Sequence, residues 1–347
     1  MSRKNRVNVI GAGVVGLTTG LVLQKNGYKV KIIAEHWPGD LSINYTSPCA
    51  GAIFSPHEFF DERYEKIQNV SYKTLWELSN MNDTGVIRLP NFIFYEKDPH
   101  IDVEKLFKGV YHEFHILPKN ELPKNVDYGI SFTTVTIDVP IYLRWLLNQF
   151  TSAGGVTQKA HLNHLNDADE PNVDFVINCT GINARNFGGV DDDKVFPTRG
   201  QIVVVSAPHI KFAKSLQEED GTYTYIIPRE CGEVILGGTM DVNNYDTTPD
   251  PKTAESILNR CIKLCPELTQ DKDLSSVHIL RHVVGLRPSR KGGIRLETEV
   301  RRNSVGKDVI ICHNYGHHSY GYIMSWGSAI EALELIKSVK SQKEARL

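Results

Sequence analysis

An α/β architecture interrupted by an antiparallel, β-rich insert is the fold that this sequence of 347 residues predicts. Three observations predict it: a strand–glycine turn–helix–strand unit at the start, a run of β-rich segments in the middle, and a return to a buried strand and a long helix at the end. In the opening unit Val7, Val9 and Ile10 read as a buried strand, and Gly11, Gly13 and Gly16 give G-x-G-x-x-G at the turn, with Ala12, Val14 and Val15 between them. Val14–Asn26 carries a helical apolar pattern, and Lys29–Ala34 reads as a second strand, followed by Glu35 and His36. The first glycine permits a sharp turn, the second removes a Cβ that would block a pyrophosphate, and the third lets helix and strand pack closely. A helix N-terminus there offers free N–H groups and the positive end of its dipole to phosphate. An acid about 20 residues beyond the glycines is placed to hold ribose hydroxyls. The unit therefore predicts a Rossmann-like dinucleotide-binding domain. NAD and FAD proteins share this fingerprint, so it does not choose between them.

The middle of the chain has a different pattern. Gly200–Val205, Thr222–Pro228 and Glu233–Gly237 are β-rich, and a Glu230-Cys-Gly turn joins the last two as in a hairpin. Before them come helical stretches over about Glu62–Asn80 and Val139–Ala153, short strand-like runs Asn91–Tyr95 and Ser131–Ile137, and a buried strand within Val173–Gly181 ending in small residues. Asp308–His313 reads as a short buried strand, and a helix is expected from about Gly321 to Lys340. The domain division expected is 1–57, 138–196 and 276–347 for the nucleotide-binding domain, with 58–137 and 197–275 forming the substrate-binding domain.

Composition narrows the function classes. The chain is 41% hydrophobic and 23% charged with a formal charge of -2, ordinary for a globular protein and without a basic footprint for nucleic acid. No apolar run approaches the ~20 residues of a membrane span, and Met-Ser-Arg-Lys leading straight into a strand argues against a cleavable signal peptide. The six cysteines are scattered, and the close pair Cys261 and Cys265 falls on one helical run, Thr253–Leu264, which favours reduced thiols. His313, His317 and His318 have no Cys or carboxylate cluster beside them, so no metal is expected.

Four ordered motifs identify a relative: Thr46-Ser-Pro-Cys-Ala-Gly51, Asn178-Cys-Thr-Gly181, Pro197-Thr-Arg-Gly-Gln201 and His313-Asn-Tyr-Gly-His-His-Ser-Tyr-Gly-Tyr-Ile-Met-Ser-Trp-Gly-Ser-Ala329. With Tyr225-Ile-Ile-Pro, Leu236-Gly-Gly-Thr239 and Val284-Gly-Leu-Arg-Pro288, the chain resembles the D-amino-acid oxidase and D-aspartate oxidase family of flavoenzymes along nearly its whole length. The likeness is greatest to fungal D-amino-acid oxidases, notably in Gly39–Pro48. Cys312 and His318 depart from the family pattern, which favours an aliphatic residue and a small residue there.

The resemblance implies FAD held by the glycine turn Gly11–Gly16, by Glu35 and His36 at the adenosine ribose, and by Thr46, Ser47, Ala50 and Gly51 along the pyrophosphate and flavin. It adds Leu162 on the adenine side, Thr180 and Gly181 after their strand, and His318, Ser319, Gly321, Tyr322 and Ile323 where the last helix begins. Arg287, also counted among the residues at the flavin, matches the arginine that pairs with a substrate α-carboxylate, where its fork can make two charge-assisted hydrogen bonds. Tyr225 adds a second contact to that carboxylate, and Ser319 offers its hydroxyl or carbonyl to the substrate ammonium. The activity implied is hydride removal from Cα of a D-amino acid to flavin N5, with dioxygen as the final acceptor and hydrogen peroxide, ammonia and a 2-oxo acid as products.

Side-chain preference reads two ways. His57 stands where D-aspartate oxidases carry histidine, whereas Met240 stands where they carry arginine. Ile53 and Phe54 add an apolar wall. Desolvating a second carboxylate without a fixed cation costs several kcal/mol, more than one hydrogen bond returns. Neutral D-amino acids are therefore favoured, with D-aspartate as the alternative. A second copy of the chain is a further candidate partner. The final Ala345-Arg346-Leu347 resembles a Ser-Lys-Leu address, so a peroxisomal import receptor and the peroxisome matrix are expected.

Overall fold

The computed structural model describes residues 5–55, 61–100, 102–107, 109–269, 274–303 and 306–344. The opening unit folds as its pattern requires: strand Arg6–Ile10, helix Val14–Lys25 and strand Lys29–Ala34. The strands are buried hydrophobic runs, the mark of a parallel sheet covered on both faces. They lie in a six-stranded sheet in the order Arg295–Arg302, Asp308–Tyr315, Phe175–Asn178, Arg6–Ile10, Lys29–Ala34, Val156–Lys159. All are parallel except Arg295–Arg302, which runs antiparallel to Asp308–Tyr315. Chain order reverses direction across the sheet between Arg6–Ile10 and Phe175–Asn178, and open α/β sheets bind ligands outside the carboxyl ends at such a switch point.

The second sheet has nine strands and is almost wholly antiparallel. Tyr223–Pro228 and Glu233–Gly237 form the expected hairpin, in register from Tyr225↔Gly237 to Pro228↔Val234. Pro251–Leu264 covers one side of this sheet with Ala254, Ile257, Leu258 and Cys261 buried. Asp250 caps this helix, its carboxylate accepting from the Thr253 N–H at 2.7 Å.

Two stretches sit elsewhere than the expected domain division puts them. Ile279–Arg290, grouped there with the nucleotide-binding segments, is a long strand of the nine-stranded sheet paired with Val195–Ser206. Its partner lies too far away in sequence for a local pattern to show. Helix Glu62–Leu78, grouped there with the insert, packs on the C-terminal helix Gly321–Glu344. There the Gly327 N–H donates to Ser71 Oγ at 2.9 Å, and a Cβ on Gly327 would overlap the backbone of Ile67.

Candidate functional site

All five parallel strands of the six-stranded sheet deliver their carboxyl ends to one cavity of about 960 Å³. Gly11, Thr180 with Gly181, Glu35, Leu162 and His317 with His318 are the residues that follow those strands, and every one lines it. The cavity runs on into the nine-stranded sheet, where Tyr225, Met240 and Arg287 line it. Every site residue expected from sequence is on this wall except His57, which lies outside the described residues. Phe54 is the other exception among the expected neighbours. It is fully buried against Tyr72 and Tyr111 in the core, leaving Ile53 alone as the apolar wall.

The glycine turn is fixed by close packing. Gly11 has φ +102, and a Cβ on Gly16 would overlap the Gly11 carbonyl oxygen. A Cβ on Gly13 would meet Ser47 Oγ at 2.9 Å, so this glycine also admits the Thr46–Gly51 loop over the helix end. Ser47 Oγ accepts from the Val14 N–H at 3.0 Å. Thr46 Oγ1 donates to the Leu286 carbonyl at 2.8 Å, and the Tyr322 hydroxyl donates to the Ser47 carbonyl at 2.9 Å. Two residues absent from the sequence reading complete the clamp. The Tyr45 hydroxyl donates to the Ala12 carbonyl at 2.7 Å. Buried Arg229 donates to the Ala50 and Gly51 carbonyls, each at 2.8 Å, and pairs with Glu233 at 3.0 Å. Arg229 and Gly51 are 178 residues apart, so no local signal could have joined them.

At one end of the cavity Glu35 meets His161, another residue the sequence reading passed over, with Nδ1 2.8 Å from the carboxylate. This bond holds the Glu35 carboxyl below its ordinary range and raises the His161 imidazole above its own. His161 immediately precedes Leu162, and that adjacency was the signal available. At the other end Arg287 lies over Gly200, whose absent Cβ leaves room for the guanidinium, and its Nη1 donates to the Thr239 carbonyl at 2.9 Å. No carboxylate pairs with Arg287 among the described residues. Burial holds the Tyr225 phenol above its ordinary range, opposed by the adjacent Arg287, so the hydroxyl stays protonated and able to donate. A guanidinium without a carboxylate partner, beside a phenol in a cavity, is a receptor for a carboxylate. Ser319 Oγ lies 2.8 Å from His318 Nδ1, and His318 takes a left-handed φ of +52. Met240 is half exposed at the mouth.

The three C-terminal histidines do not share a site. His313 is bracketed by Asn178 and Glu299, each at 3.1 Å, and His317 lies 3.4 Å from Ser328. Burial lowers both imidazoles from 6.5 to about 4. The unfolded chain then binds protons that the folded chain does not, so their contribution to stability is complete above pH 6.5 and is lost as pH falls toward 4. Thermal unfolding should show Tm falling through that window, less steeply in His317→Asn. A flat Tm, or an unchanged slope in the variant, would contradict buried neutral imidazoles.

Comparison with known proteins places this geometry among relatives. Residues 6–335 match the family described as DAO, FAD dependent oxidoreductase. The chain is 35% identical to a D-amino-acid oxidase of Fusarium vanettenii, over 99% of both chains. It is 32% identical to a D-aspartate oxidase of Cryptococcus neoformans, covering 95% of this chain and 96% of that one. Among solved structures, glycine oxidase from Geobacillus kaustophilus shares the fold with a TM-score of 0.74 at 18% identity, over 96% of this chain and 95% of that one.

Proposed function

The chain belongs to the DAO family of FAD-dependent oxidoreductases, and from that premise we propose that it oxidises D-amino acids with uncharged side chains. Substrate, dioxygen and water would give the 2-oxo acid, ammonia and hydrogen peroxide. The observation that carries this reading is the Arg287 guanidinium, which faces the cavity beside the Tyr225 hydroxyl without a carboxylate partner among the described residues.

The residues present fit FAD. The N-terminus of Val14–Lys25 and the Thr46–Gly51 loop form a cradle that a Cβ on Gly13 would fill, suited to a pyrophosphate. Glu35 would take the ribose hydroxyls, and backbone N–H groups of the His318–Ile323 turn would face the flavin. When bound, FAD supplies a two-electron acceptor that dioxygen can reoxidise. Arg287 and Tyr225 would fix the α-carboxylate, and Ser319 would accept from the ammonium. Three fixed points decide whether the Cα–H of a D or an L amino acid faces the flavin, so orientation is the task of these side chains. No side chain need act as acid or base at that step. The imino acid hydrolyses in water after release.

Preference for uncharged side chains is supported by Met240, whose thioether offers a carboxylate nothing, and by the engagement of nearby cations. Lys214 is paired with Glu267 at 3.0 Å, and Arg185 donates to the carbonyls of Asp193 and Val195. Oxygen uptake with D-alanine, D-methionine, D-proline, D-aspartate and L-alanine tests the reading. The neutral D-amino acids should exceed D-aspartate by about tenfold or more in kcat/KM, since a lone desolvated carboxylate costs several kcal/mol. D-aspartate as the best substrate would overturn the preference, and oxidation of none would overturn the function. Met240→Arg should move the ratio toward D-aspartate by about tenfold or more, because it introduces the missing cation. An unmoved ratio would show that position 240 does not see the side chain.

Peroxisomal import through Ala345-Arg346-Leu347, which lies outside the described residues, is part of the same proposal. The tripeptide pattern supports it, as does the advantage of keeping a peroxide producer beside catalase. Removing Leu347 should leave activity intact and leave an N-terminal fluorescent fusion in the cytosol. A fusion that stays punctate would refute import by this route.

A further inference from the structure

Asn91 sits on strand Val86–Tyr95, is only 2% exposed and lines the cavity. No hydrogen bond joins its carboxamide to another described residue, and the amide is not among the fully enclosed unpartnered groups, so it is open to the cavity that Asn91 lines. Alternation along the strand puts Asn91, Ile93 and Tyr95 on one face, and all three line the cavity. Register extends that face sideways. Ile93 stands opposite Ser215 and Tyr95 opposite Gln217, and across the next pairing Ser215 stands opposite Tyr225 and Gln217 opposite Tyr223. A floor therefore runs from Tyr225 across two strand spacings, about 10 Å, to Ile93, with Asn91 one pleat repeat further along that strand, about 12 Å from Tyr225 on the diagonal.

The chemistry of this floor is polar and uncharged. Ser215 is 5% exposed and lies beside the Tyr223 phenol. The lysine between Ala213 and Ser215 alternates away, with Lys214 Nζ on Glu267 and over the Phe212 ring. None of Asn91, Ile93, Tyr95, Ser215, Gln217 and Tyr223 carries a charge. An alkyl side chain lying here would leave the Asn91 amide unpaired, which a polar site penalises strongly. A carboxylate would meet the Asn91 carbonyl oxygen as well as its N–H₂ and would find no cation. A carboxamide presents a donor and an acceptor side by side, and can pair with another carboxamide at two points.

We propose that this arm of the cavity is a side-chain subsite for D-amino acids bearing a carboxamide, with Asn91 as the specificity-determining residue. The subsite rests on the D-amino-acid oxidase reading above and sharpens its substrate class.

The test uses the FAD-loaded enzyme and three nearly isosteric substrates, D-asparagine, D-leucine and D-aspartate, with D-alanine as the reference that is too short to reach the arm. D-asparagine should have the highest kcat/KM of the three. Asn91→Ala should lower the D-asparagine to D-alanine ratio of kcat/KM about fivefold to tenfold, the range of one to two hydrogen bonds. The loss should fall in KM, since the contact is distant from the reacting Cα. Asn91→Ser carries the same comparison should the alanine variant fold poorly, and Asn91→Asp should depress the ratio further by turning two donors into acceptors. A wild-type enzyme that prefers D-leucine, or a ratio that Asn91→Ala and Asn91→Ser leave unmoved, overturns the subsite. Absence of oxidation of all four D-amino acids by the wild type overturns the oxidase reading itself, so the two failures are distinguishable.

Discussion

Arg287→Ala should reduce kcat/KM for D-alanine by roughly 30-fold to several thousand-fold, the equivalent of about 2–5 kcal/mol for truncating one partner of a desolvated charge pair. Arg287 keeps one terminal nitrogen on the Thr239 and Arg199 carbonyls, at 2.9 and 3.3 Å, and its planar head lies on Gly200. The guanidinium is therefore held in place before any ligand arrives, and binding a carboxylate orders little that was loose. FAD should stay bound and Tm should change little, because Arg287 makes no ion pair among the described residues. Flavin absorbance, Tm and steady-state kinetics on one preparation would check all three. Near wild-type kcat/KM in a yellow, folded variant would remove Arg287 from the substrate site.

Gly16→Ala should release the cofactor. A Cβ at this position would overlap the Gly11 carbonyl oxygen and come within 3.4 Å of Cys179 Cβ. The first obstacle is backbone, and no rotamer change relieves it. The helix must move away from the strand turn, at a cost of about 1–3 kcal/mol or more for overpacking, and its N-terminus then no longer meets Ser47 or a pyrophosphate. The measurement is the FAD-to-protein ratio after gel filtration. It should be near one in the wild type and fall well below one in Gly16→Ala. Full FAD content in Gly16→Ala would contradict the packing argument.

Elements with strong local patterns were legible in the sequence. The first strand, its helix and the second strand lie where apolar periodicity puts them, and the hairpin at Tyr223–Gly237 follows its turn. Strands without a pattern were not legible. Val156–Lys159 is exposed at all four positions, so burial left no alternation to read. Ile279–Arg290 begins with four exposed residues and is held by pairing with Val195–Ser206. The same division applies to the site. Residues within short motifs (Gly11, Glu35, Ser47, Arg287) could be named in advance. Arg229, His161 and Asn91 take their meaning from partners or a cavity that only the tertiary fold assembles.

The central claim is that this chain uses FAD to oxidise D-amino acids held by Arg287 and Tyr225. Its most direct test is the flavin absorbance of the purified protein, followed without oxygen while D-alanine or L-alanine is added. D-alanine should bleach the flavin bands, admission of air should restore them with release of hydrogen peroxide, and L-alanine should leave them unchanged. Bands that persist with every D-amino acid tried, or that bleach equally with the L form, would contradict the account.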